Sequence, residues 1–525
     1  MLKIAIIGGG PTGLATAISL AEKGRGKIEI HVYERRWKNG GDGICYSSSI
    51  RRDQVVTLQD SVTNLMSKDT RLALFQDRPE RVWPLSANIS IRKVENRLLR
   101  RCQDLRGLVT LHSMVVEPNT LCKSSNFHVV IGADGASSCL RSAYFDSTER
   151  GKSYAAGIAL KRPAGLPWSQ PLNLFLTLGQ TRYLLNASEL DGGGYLNMQL
   201  IEQEWSEMVN VSGKPVTFGN PGCVRIDGQL PPGFETHQLF APSENGGALW
   251  KSIKEGLKLF GFDIEDVVNV VRIPIVVQAV KDCVQHMPHV ARPHALVALV
   301  GDAAMTVHFW PGTGLNSGIK SGIALANEIT DAFHDGQLTG LPISAVRGYT
   351  EFMLRLQVRE HDQRSIPILN LSGTPEMLAW LLERAHEVPQ KVAIEWLIDT
   401  MGQIATRLQM RQDWVWKPVR NIKKQLREVL MQLDLRTLQE MAVTFPWPTK
   451  EMSGDEILPH FEQESCCFRQ SLPRATQALF HEEAVTIMRW KTLGRDYKSK
   501  YERNVYEKQR DVIFHSKSAL VLSGT

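Results

Sequence analysis

The hydrophobic pattern of the first 35 residues predicts a strand, a helix and a second strand in succession. Lys3–Ile7 is a short apolar run typical of a buried strand, and it leads directly into glycines. The stretch from about Leu14 to Lys23 is rich in Ala, Leu and Ile, which favours a helix. Ile28–Glu34 carries the β-branched residues of a strand. The chain therefore begins with a βαβ unit.

The pattern changes several times along the rest of the chain. We expect a Gly- and Ser-rich loop at residues 38–50, a helix around Ser90–Arg101, and strands near Val109–Val116 and Phe127–Ile131. From about residue 155 to 290, segments such as Leu172–Leu176 and Tyr195–Leu200 alternate in polarity, which predicts a mostly antiparallel sheet. Leu296–Val300 is again a buried-strand pattern, and beyond residue 340 the apolar residues recur at helical spacing.

These patterns predict an α/β protein in which a Rossmann-type nucleotide-binding domain is interrupted by an antiparallel sheet. The predicted divisions are residues 1–154 and 291–340 for the nucleotide-binding domain, 155–290 for the β-rich substrate domain and 341–525 for a helical C-terminal region. A chain of 525 residues is long enough for two or three such units.

Composition and charge narrow the class of protein. The net charge of +6 is small for this length and does not favour nucleic-acid binding. The eight cysteines include no CxxC pair and no zinc-type spacing, so we expect no metal site and a reduced, intracellular protein. The N-terminus lacks the features of a signal peptide, and no apolar run approaches the roughly 20 residues of a membrane span. We therefore expect a cytoplasmic protein.

The first chemical signal is the turn Gly8-x-Gly10-x-x-Gly13, which follows a predicted strand and opens a predicted helix. The first glycine permits a tight turn, the second lets the backbone approach a pyrophosphate, and the third lets helix and strand pack closely. The intervening Pro11 and Thr12 lie at the helix N-terminus, whose N–H groups favour an anion. Glu34, 21 residues after Gly13, is placed to accept hydrogen bonds from a ribose. This motif alone does not separate FAD from NAD.

Two later motifs also follow predicted strands. One is Asp134-Gly135 after Val129–Gly132, and the other is Gly301-Asp302 after Leu296–Val300. The second continues into a glycine-rich turn whose candidate residues are Pro311, Gly312, Gly314, Leu315 and Asn316.

With these three motifs in this order, the first 320 residues resemble the group A flavoprotein monooxygenases, the relatives of para-hydroxybenzoate hydroxylase. The resemblance implies bound FAD. Asp302 would bind the ribityl hydroxyls, and the N–H groups around Gly312–Asn316 would face the pyrimidine edge of the flavin. Asp134 and Gly135 would lie near FAD and the nicotinamide cofactor, and Arg92 would contact the FAD pyrophosphate.

A narrower resemblance is to the flavin domain of the MICAL proteins, which oxidise methionines of actin. It rests on Ser90-Ile91-Arg92 and on Phe309–Gly314. It implies that Arg36, two residues past the ribose acid, also contacts FAD, and we include its neighbour Arg35 as a candidate. Extra partner-binding modules are not recognisable in the chain. Because of the resemblance itself, a protein substrate stays open as the second hypothesis.

The group A resemblance implies a reaction as well as a cofactor. Because no second Gly-rich nucleotide fold follows, NADPH or NADH would bind transiently as a co-substrate. It would reduce FAD, O₂ would then form a flavin hydroperoxide, and that species would hydroxylate or epoxidise a small aromatic or apolar compound, with specialised metabolism a candidate setting. A reductase, a halogenase and a binding module with structural FAD stay open as further hypotheses.

The substrate side of the flavin is less well marked. Many group A enzymes carry a histidine directly after the Gly-Asp-Ala-Ala segment, whereas Met305 stands here and His308 follows three residues later. His308 and Trp310, just before the flavin-facing turn, are our catalytic candidates. In the competing interpretation, Trp310 packs in the core and His308 makes a local hydrogen bond.

Overall fold

The computed structural model describes residues 1–24, 26–41, 43–47, 52, 54–76, 78–123, 127–210, 213–217, 247–287, 294–308, 313–333, 340–369 and 375–444. The strands are β1 (Leu2–Ile7), β2 (Ile28–Tyr33), β3 (Trp37–Gly40), β4 (Gly43–Tyr46), β5 (Val55–Gln59), β6 (Ser86–Ser90), β7 (Val109–His112), β8 (Val129–Gly132), β9 (Ser147–Lys161), β10 (Tyr183–Ser188), β11 (Gly193–Leu200), β12 (Val267–Val280), β13 (Val284–His286), β14 (Leu296–Leu299) and β15 (Met305–Thr306).

The helices are α1 (Pro11–Gly24), α2 (Asp60–Thr63), α3 (Lys68–Phe75), α4 (Ile91–Asp104), α5 (Pro118–Lys123), α6 (Cys139–Tyr144), α7 (Gln170–Leu178), α8 (Glu202–Glu207), α9 (Gly247–Leu259), α10 (Thr313–Ala332), α11 (Arg347–Gln357), α12 (Ile366–Ile368), α13 (Pro375–Arg384), α14 (Gln390–Gln409), α15 (Ile422–Leu430) and α16 (Leu435–Val443). A π-helical stretch, Val358–Ser365, separates α11 from α12. Among the described residues, no helix combines the length and apolar character needed to cross a lipid bilayer.

A six-stranded sheet in the order β13-β14-β8-β1-β2-β7 forms the Rossmann-type part of the fold. All its strands are parallel except β13, which pairs antiparallel with β14. The next two strands of this sheet along the chain, β2 and β7, lie on one side of β1, and β8 lies on its other side. This reversal of strand order next to β1 opens a crevice at the carboxyl ends of the strands, where ligands bind in folds of this type.

The glycines of α10 let it pack closely against α1. A Cβ on Gly318 would lie 2.6 Å from Oγ1 of Thr12, and one on Gly322 would lie 2.2 Å from Oγ1 of Thr16. Real Cβ contacts of that length do not occur, so a side chain at either position would force the threonine side chain or the helix to shift. The packing brings the N-terminal ends of both helices to the same crevice.

A five-stranded antiparallel sheet in the order β10-β11-β9-β12-β15 forms the second layer. One of its faces, which includes Ile158, Leu185, Leu196 and Met198, packs into a core that also contains residues of α7, α9, α14, α15 and α16. The fold class predicted from the sequence is therefore confirmed: a Rossmann-type domain, an antiparallel sheet and helices in the C-terminal part that the structure describes. The predicted boundary at residues 154/155 falls inside β9.

Two local predictions are wrong. Leu172–Leu176 is part of helix α7, not of a strand. The whole segment is buried, so its short apolar run carries no reliable period, and Pro171 favours the first turn of a helix. Residues 38–50 are also not a plain loop, because β3 and β4 pair antiparallel as a hairpin.

Candidate cofactor-binding cleft

The carboxyl ends of β1, β2, β8 and β14 open into a cleft with a volume of about 600 Å³. Most of the cofactor-binding residues predicted from the sequence line this one cleft. They are Gly8, Gly10, Pro11, Thr12, Glu34, Arg35, Arg36, Asp134, Gly135, Asp302, Gly314 and Leu315. Three motifs that are far apart in the chain are therefore neighbours in the fold.

The three glycines after β1 have distinct structural roles. Gly8 has φ +108°, and a Cβ there would lie 2.3 Å from the carbonyl oxygen of Ala133. A Cβ on Gly13 would lie 1.9 Å from the carbonyl oxygen of Gly8, so Gly13 allows α1 to start close to β1. Gly10 differs, because the nearest atom to its Cβ position is Nη2 of Arg36 at 3.7 Å. Gly8 and Gly13 are thus required by packing, while Gly10 leaves space in the cleft.

Glu34 is 7% exposed and holds the turn in place. Its Oε2 accepts hydrogen bonds from the Gly9 N–H and from Arg36 Nη2, both at 3.0 Å. Its Oε1 accepts from the backbone N–H of Arg36 at 3.0 Å and from Nε at 3.2 Å. A carboxylate offers about four acceptor positions, and all four are used. A ribose hydroxyl can therefore bind Glu34 only in exchange for one of these bonds.

Arg36 links Glu34 to a second carboxylate. Its Nη1 donates to Oε1 of Glu95 at 2.7 Å, and its guanidinium lies 5.1 Å from the ring centroid of Tyr46. Burial acts to raise the pKa of Glu34, but the hydrogen bonds and charge of Arg36 outweigh burial and lower it. Burial likewise acts to lower the pKa of Arg36, and Glu34 and Glu95 raise it overall. Both groups therefore stay charged at neutral pH.

The two later acids present acceptor atoms that are still available. Asp134 Oδ2 accepts from the N–H of Cys139 at 2.8 Å at the start of α6, whereas its buried Oδ1 has no hydrogen-bond partner among the described residues. The carboxylate of Asp302 lines the cleft and likewise makes no side-chain hydrogen bond with a described residue. Burial raises the pKa of Asp302, against the charges of Arg52 and Arg141.

The start of α10 forms part of the wall of the cleft. Gly314 and Leu315 line it, so the N–H groups of the first turn, which have no partners within the helix, are next to the cavity. The side chain of Asn316 ties this turn to β5: it accepts from the N–H of Gln59 at 2.9 Å and donates to the carbonyl of Thr57 at 2.7 Å. The partial positive charge at this end of the helix favours an anionic group.

Some predicted residues lie away from the cleft wall. Gly13 and Gly301 are packing positions, and Gly301 has φ +61° with its N–H donating to Ser321 Oγ at 2.8 Å. Arg92 is exposed on α4, while Ile91 and Glu95 of the same helix line the cleft. Trp310, Pro311 and Gly312 lie outside the described residues.

His308 is 1% exposed, and its backbone N–H donates to Oγ of Ser365 at 3.1 Å in the π-helical stretch. Burial lowers the pKa of His308 to about 3, so its imidazole is neutral at physiological pH. At that pKa the imidazole is a weak base and does not supply positive charge. His308 stays a catalytic prediction, and it is not among the residues that line the cleft.

Several cleft residues were not predicted from the sequence. Asn186, Tyr195, Asn197 and Ile273 all line the cleft. They lie on β10, β11 and β12, so the antiparallel sheet forms part of the cleft wall. The signal was present in the sequence: Tyr195–Leu200 alternates polar and apolar residues, and the structure buries both sets.

The residues present fit FAD. The cleft joins a glycine turn at a helix N-terminus, which suits a pyrophosphate, to Asp302, whose unused carboxylate suits polyhydroxyl donors. A second helix N-terminus, that of α10, lies next to Asp302, as the 3.9 Å from Asp302 Oδ1 to the Cβ position of Gly314 shows. A ligand with a pyrophosphate, a sugar alcohol and a ring edge that holds negative charge matches these three features together.

Comparisons with known proteins give remote matches. No curated protein sequence matches the chain. Solved structures that resemble it include the Diels-Alderase PyrE3 from pyrroindomycin biosynthesis, with 14% identity, 83% of this chain and 81% of that chain covered, and a TM-score of 0.43. The oxygenase of 2-methyl-3-hydroxypyridine-5-carboxylic acid is 12% identical, with 68% of this chain and 89% of that chain covered and a TM-score of 0.43. The tetracycline destructase Tet(51) is 13% identical, with 83% of this chain and 99% of that chain covered and a TM-score of 0.40.

Because these TM-scores are below 0.5, the fold assignment rests on the strand order and glycine geometry of this chain. One family model matches, and it covers the segment that carries the glycine turn and Glu34. Residues 6–75 match the NAD(P)-binding Rossmann-like domain.

Proposed function

We propose that this chain is an FAD-dependent monooxygenase that uses NADPH or NADH and O₂ to oxygenate a small organic substrate. The observation that carries the proposal is the pair of unused acidic oxygens, from Asp134 and Asp302, in a cleft between the N-termini of α1 and α10. A cleft that bound only NAD would need the glycine turn and Glu34. It would not need Asp302 and a second helix end.

Each residue of the cleft would then have a defined task. The N–H groups after Gly10 would bind the pyrophosphate, and Glu34 would bind the ribose after releasing an Arg36 bond. Asp302 would orient the ribityl chain, and the first turn of α10, with Leu315, would lie against the pyrimidine edge of the ring. The positive end of α10 would stabilise negative charge there.

FAD supplies the redox chemistry when bound: it accepts a hydride from the nicotinamide cofactor, and its reduced form lets O₂ place one oxygen atom on the substrate while the other leaves as water. The protein has to hold the substrate next to the ring and keep solvent away. The antiparallel sheet is suited to this because Tyr195, Asn197 and Ile273 close the cleft on that side. This assigns the substrate wall to β10, β11 and β12.

The proposal is tested by anaerobic reduction of the purified, FAD-loaded chain. NADPH or NADH should bleach the flavin absorbance, and admission of air should restore it with release of hydrogen peroxide when no substrate is present. Asp302→Asn should lower FAD affinity because it replaces two acceptor oxygens with one, whereas Asp331→Asn on α10, outside the cleft, should not change it. Failure of both nicotinamide cofactors to reduce bound FAD would overturn the monooxygenase assignment.

A further inference from the structure

The π-helical stretch Val358–Ser365 lies between α11 and α12. It is eight residues long, whereas π-helices occur mostly as single turns within α-helices, frequently at functional sites. Because this geometry is rare, the chain keeps it only where surrounding contacts hold it in place. Its buried side chains contact the segment that leads from the Gly-Asp motif towards α10.

Two side chains of the π-helical stretch bind the backbone on either side of Val307. His361 is fully buried, and its Nε2 donates to the carbonyl oxygen of Thr306 at 2.9 Å. Ser365 accepts at Oγ from the N–H of His308 at 3.1 Å. Residues four apart lie on one face of a helix, so these two side chains reach one short segment together. The π-helical stretch therefore holds Val307 from both sides.

The direction of both hydrogen bonds is fixed by the partners. A carbonyl oxygen only accepts, so His361 carries a proton on Nε2. Burial lowers the pKa of His361, against the effect of the Thr306 carbonyl, so the imidazole is neutral at physiological pH. The hydroxyl of Ser365 donates its one proton to the carbonyl oxygen of Glu360 at 2.6 Å, which leaves its lone pairs for the N–H of His308. Both contacts are therefore bonds between neutral groups.

A group of ion pairs holds the π-helical stretch itself. Glu360 is 1% exposed, and its two oxygens accept from Nη1 of Arg364 at 2.9 and 3.0 Å. Arg359 pairs with the same carboxylate at 2.7 Å. Separating a buried carboxylate from its cations is strongly unfavourable. The backbone that carries His361 and Ser365 is therefore held in place.

Val307 connects this support to the cleft. Its Cγ2 lies 3.6 Å from the Cβ position of Gly314, and Oδ1 of Asp302 lies 3.9 Å from the same position. Gly314 and Asp302 line the cleft, whereas Val307 is buried and is not among the lining residues. A shift of Val307 would therefore change the placement of the first turn of α10 relative to Asp302.

We propose that His361 and Ser365 are positioning residues for the flavin: they hold Val307 against the first turn of α10 and so fix that helix end beside the pyrimidine edge of the ring. The inference rests on the proposed function, because it needs FAD in this cleft. A helix N-terminus stabilises negative charge only within about one turn. Reduced flavin carries more negative charge at this edge than oxidised flavin, so a correctly placed turn raises the reduction potential.

The test is the midpoint potential of the FAD-loaded full chain, measured by dithionite titration against a reference dye. His361→Leu removes the donor to Thr306. We expect it to weaken the binding of reduced FAD relative to oxidised FAD about tenfold, which is a negative shift of about 30 mV for a two-electron couple. Ser365→Ala should shift the potential in the same direction. His361→Gln places an amide N–H near the position of Nε2 and should restore the parent potential.

Gln357→Leu is the matched control. Gln357 lies four residues before His361, and its Nε2 donates to the carbonyl oxygen of Val280 at the end of β12 at 2.8 Å. The variant loses one hydrogen bond to backbone, as His361→Leu does, so both should lose similar thermal stability. Only His361→Leu should change the potential. Equal potentials for the parent and His361→Leu, or an equal shift in Gln357→Leu, would overturn the proposal.

Hydrogen exchange of the FAD-free chain gives a second readout that needs no cofactor. Amide exchange in a peptide that covers residues 305–308 should be faster in His361→Leu and in Ser365→Ala than in the parent, because each variant releases one side of Val307. Gln357→Leu should leave this peptide unchanged. Parent-like exchange in both variants would overturn the positioning role.

The outcomes separate this inference from the proposed function. If NADPH and NADH leave the bound FAD oxidised while the potential of His361→Leu is lower than that of the parent, the monooxygenase assignment fails and the positioning role stands. If NADPH reduces the FAD and all variants share one potential, the function stands and the positioning role is overturned. A chain that binds no FAD overturns both.

Discussion

Single residues explain why the glycine turn could be recognised from sequence while the bonds of Glu34 could not. Gly8 and Gly13 leave a visible spacing because any side chain there would collide with backbone. The position of Glu34 after β2 follows from the same spacing. Arg36 and Gly9 together use all four acceptor positions of Glu34. This arrangement depends on the rotamer of Arg36 and on its bond to Glu95, which is 59 residues away in the chain. Sequence spacing predicts neither the rotamer nor the bond.

The difference between Gly10 and Gly13 gives the first prediction. Gly10→Ala should leave the free energy of unfolding nearly unchanged, because its Cβ meets nothing closer than 3.7 Å. It should weaken FAD binding roughly tenfold, because the methyl group occupies space in the cleft. Gly13→Ala should instead lower the free energy of unfolding by about 1–3 kcal/mol through overpacking. Urea unfolding and FAD titration of the two variants measure both quantities.

Gly41→Ala is the control for this pair, because no atom lies within 4 Å of its Cβ position and its φ is not in the left-handed region. It should change neither stability nor affinity. A Gly10→Ala protein that is as unstable as Gly13→Ala would contradict the separation of roles.

At the scale of elements, short apolar runs predicted the strands of the parallel sheet but assigned one buried helix as a strand. β1, β2, β8 and β14 lie where the apolar runs indicated. Leu172–Leu176 looked like a strand because it alternates over a few residues, yet α7 is buried on every side and needs no polar face. Tyr195–Leu200 alternates for a different reason: one face of β11 meets the core and the other meets the cleft.

The contact between α1 and α10 gives a prediction at this scale. Gly322→Ala should destabilise the chain and weaken FAD binding, because its Cβ would lie 2.2 Å from Oγ1 of Thr16 and would push the two helix N-termini apart. Adding Thr16→Ala removes the colliding hydroxyl and should recover most of the loss. A double-mutant cycle by urea unfolding measures this coupling. Additive effects of the two substitutions would contradict the proposed contact.

At the scale of the whole molecule, the C-terminal helices support the sheet that closes the cleft. Arg182, just before β10, is fully buried and forms ion pairs with Glu204 of α8 at 2.6 Å and Glu440 of α16 at 3.4 Å. Its Nη1 also donates to the carbonyl of Gln199 at 2.5 Å. The helical character of this region was predicted from the sequence. Its attachment to the sheet was not, because Arg182 and Glu440 are more than 200 residues apart in the chain.

Arg182→Ala should therefore lower the free energy of unfolding by about 3–5 kcal/mol, because it leaves Glu204 and Glu440 without their buried cation. The measurement is urea unfolding at pH 7. Arg347→Ala, which removes an exposed pair with Glu351 3.0 Å away, is the control and should have no measurable effect. Equal stabilities for the two variants would show that the buried ion pairs do not attach the helices to the sheet.

The central claim is that the cleft after β1 binds FAD, and the absorbance spectrum of the purified chain after incubation with FAD and removal of free cofactor tests it most directly. We expect a flavin spectrum with one FAD per chain, and a much smaller signal for Gly10→Ala at unchanged stability. A colourless parent chain that folds normally and retains no FAD would contradict the claim.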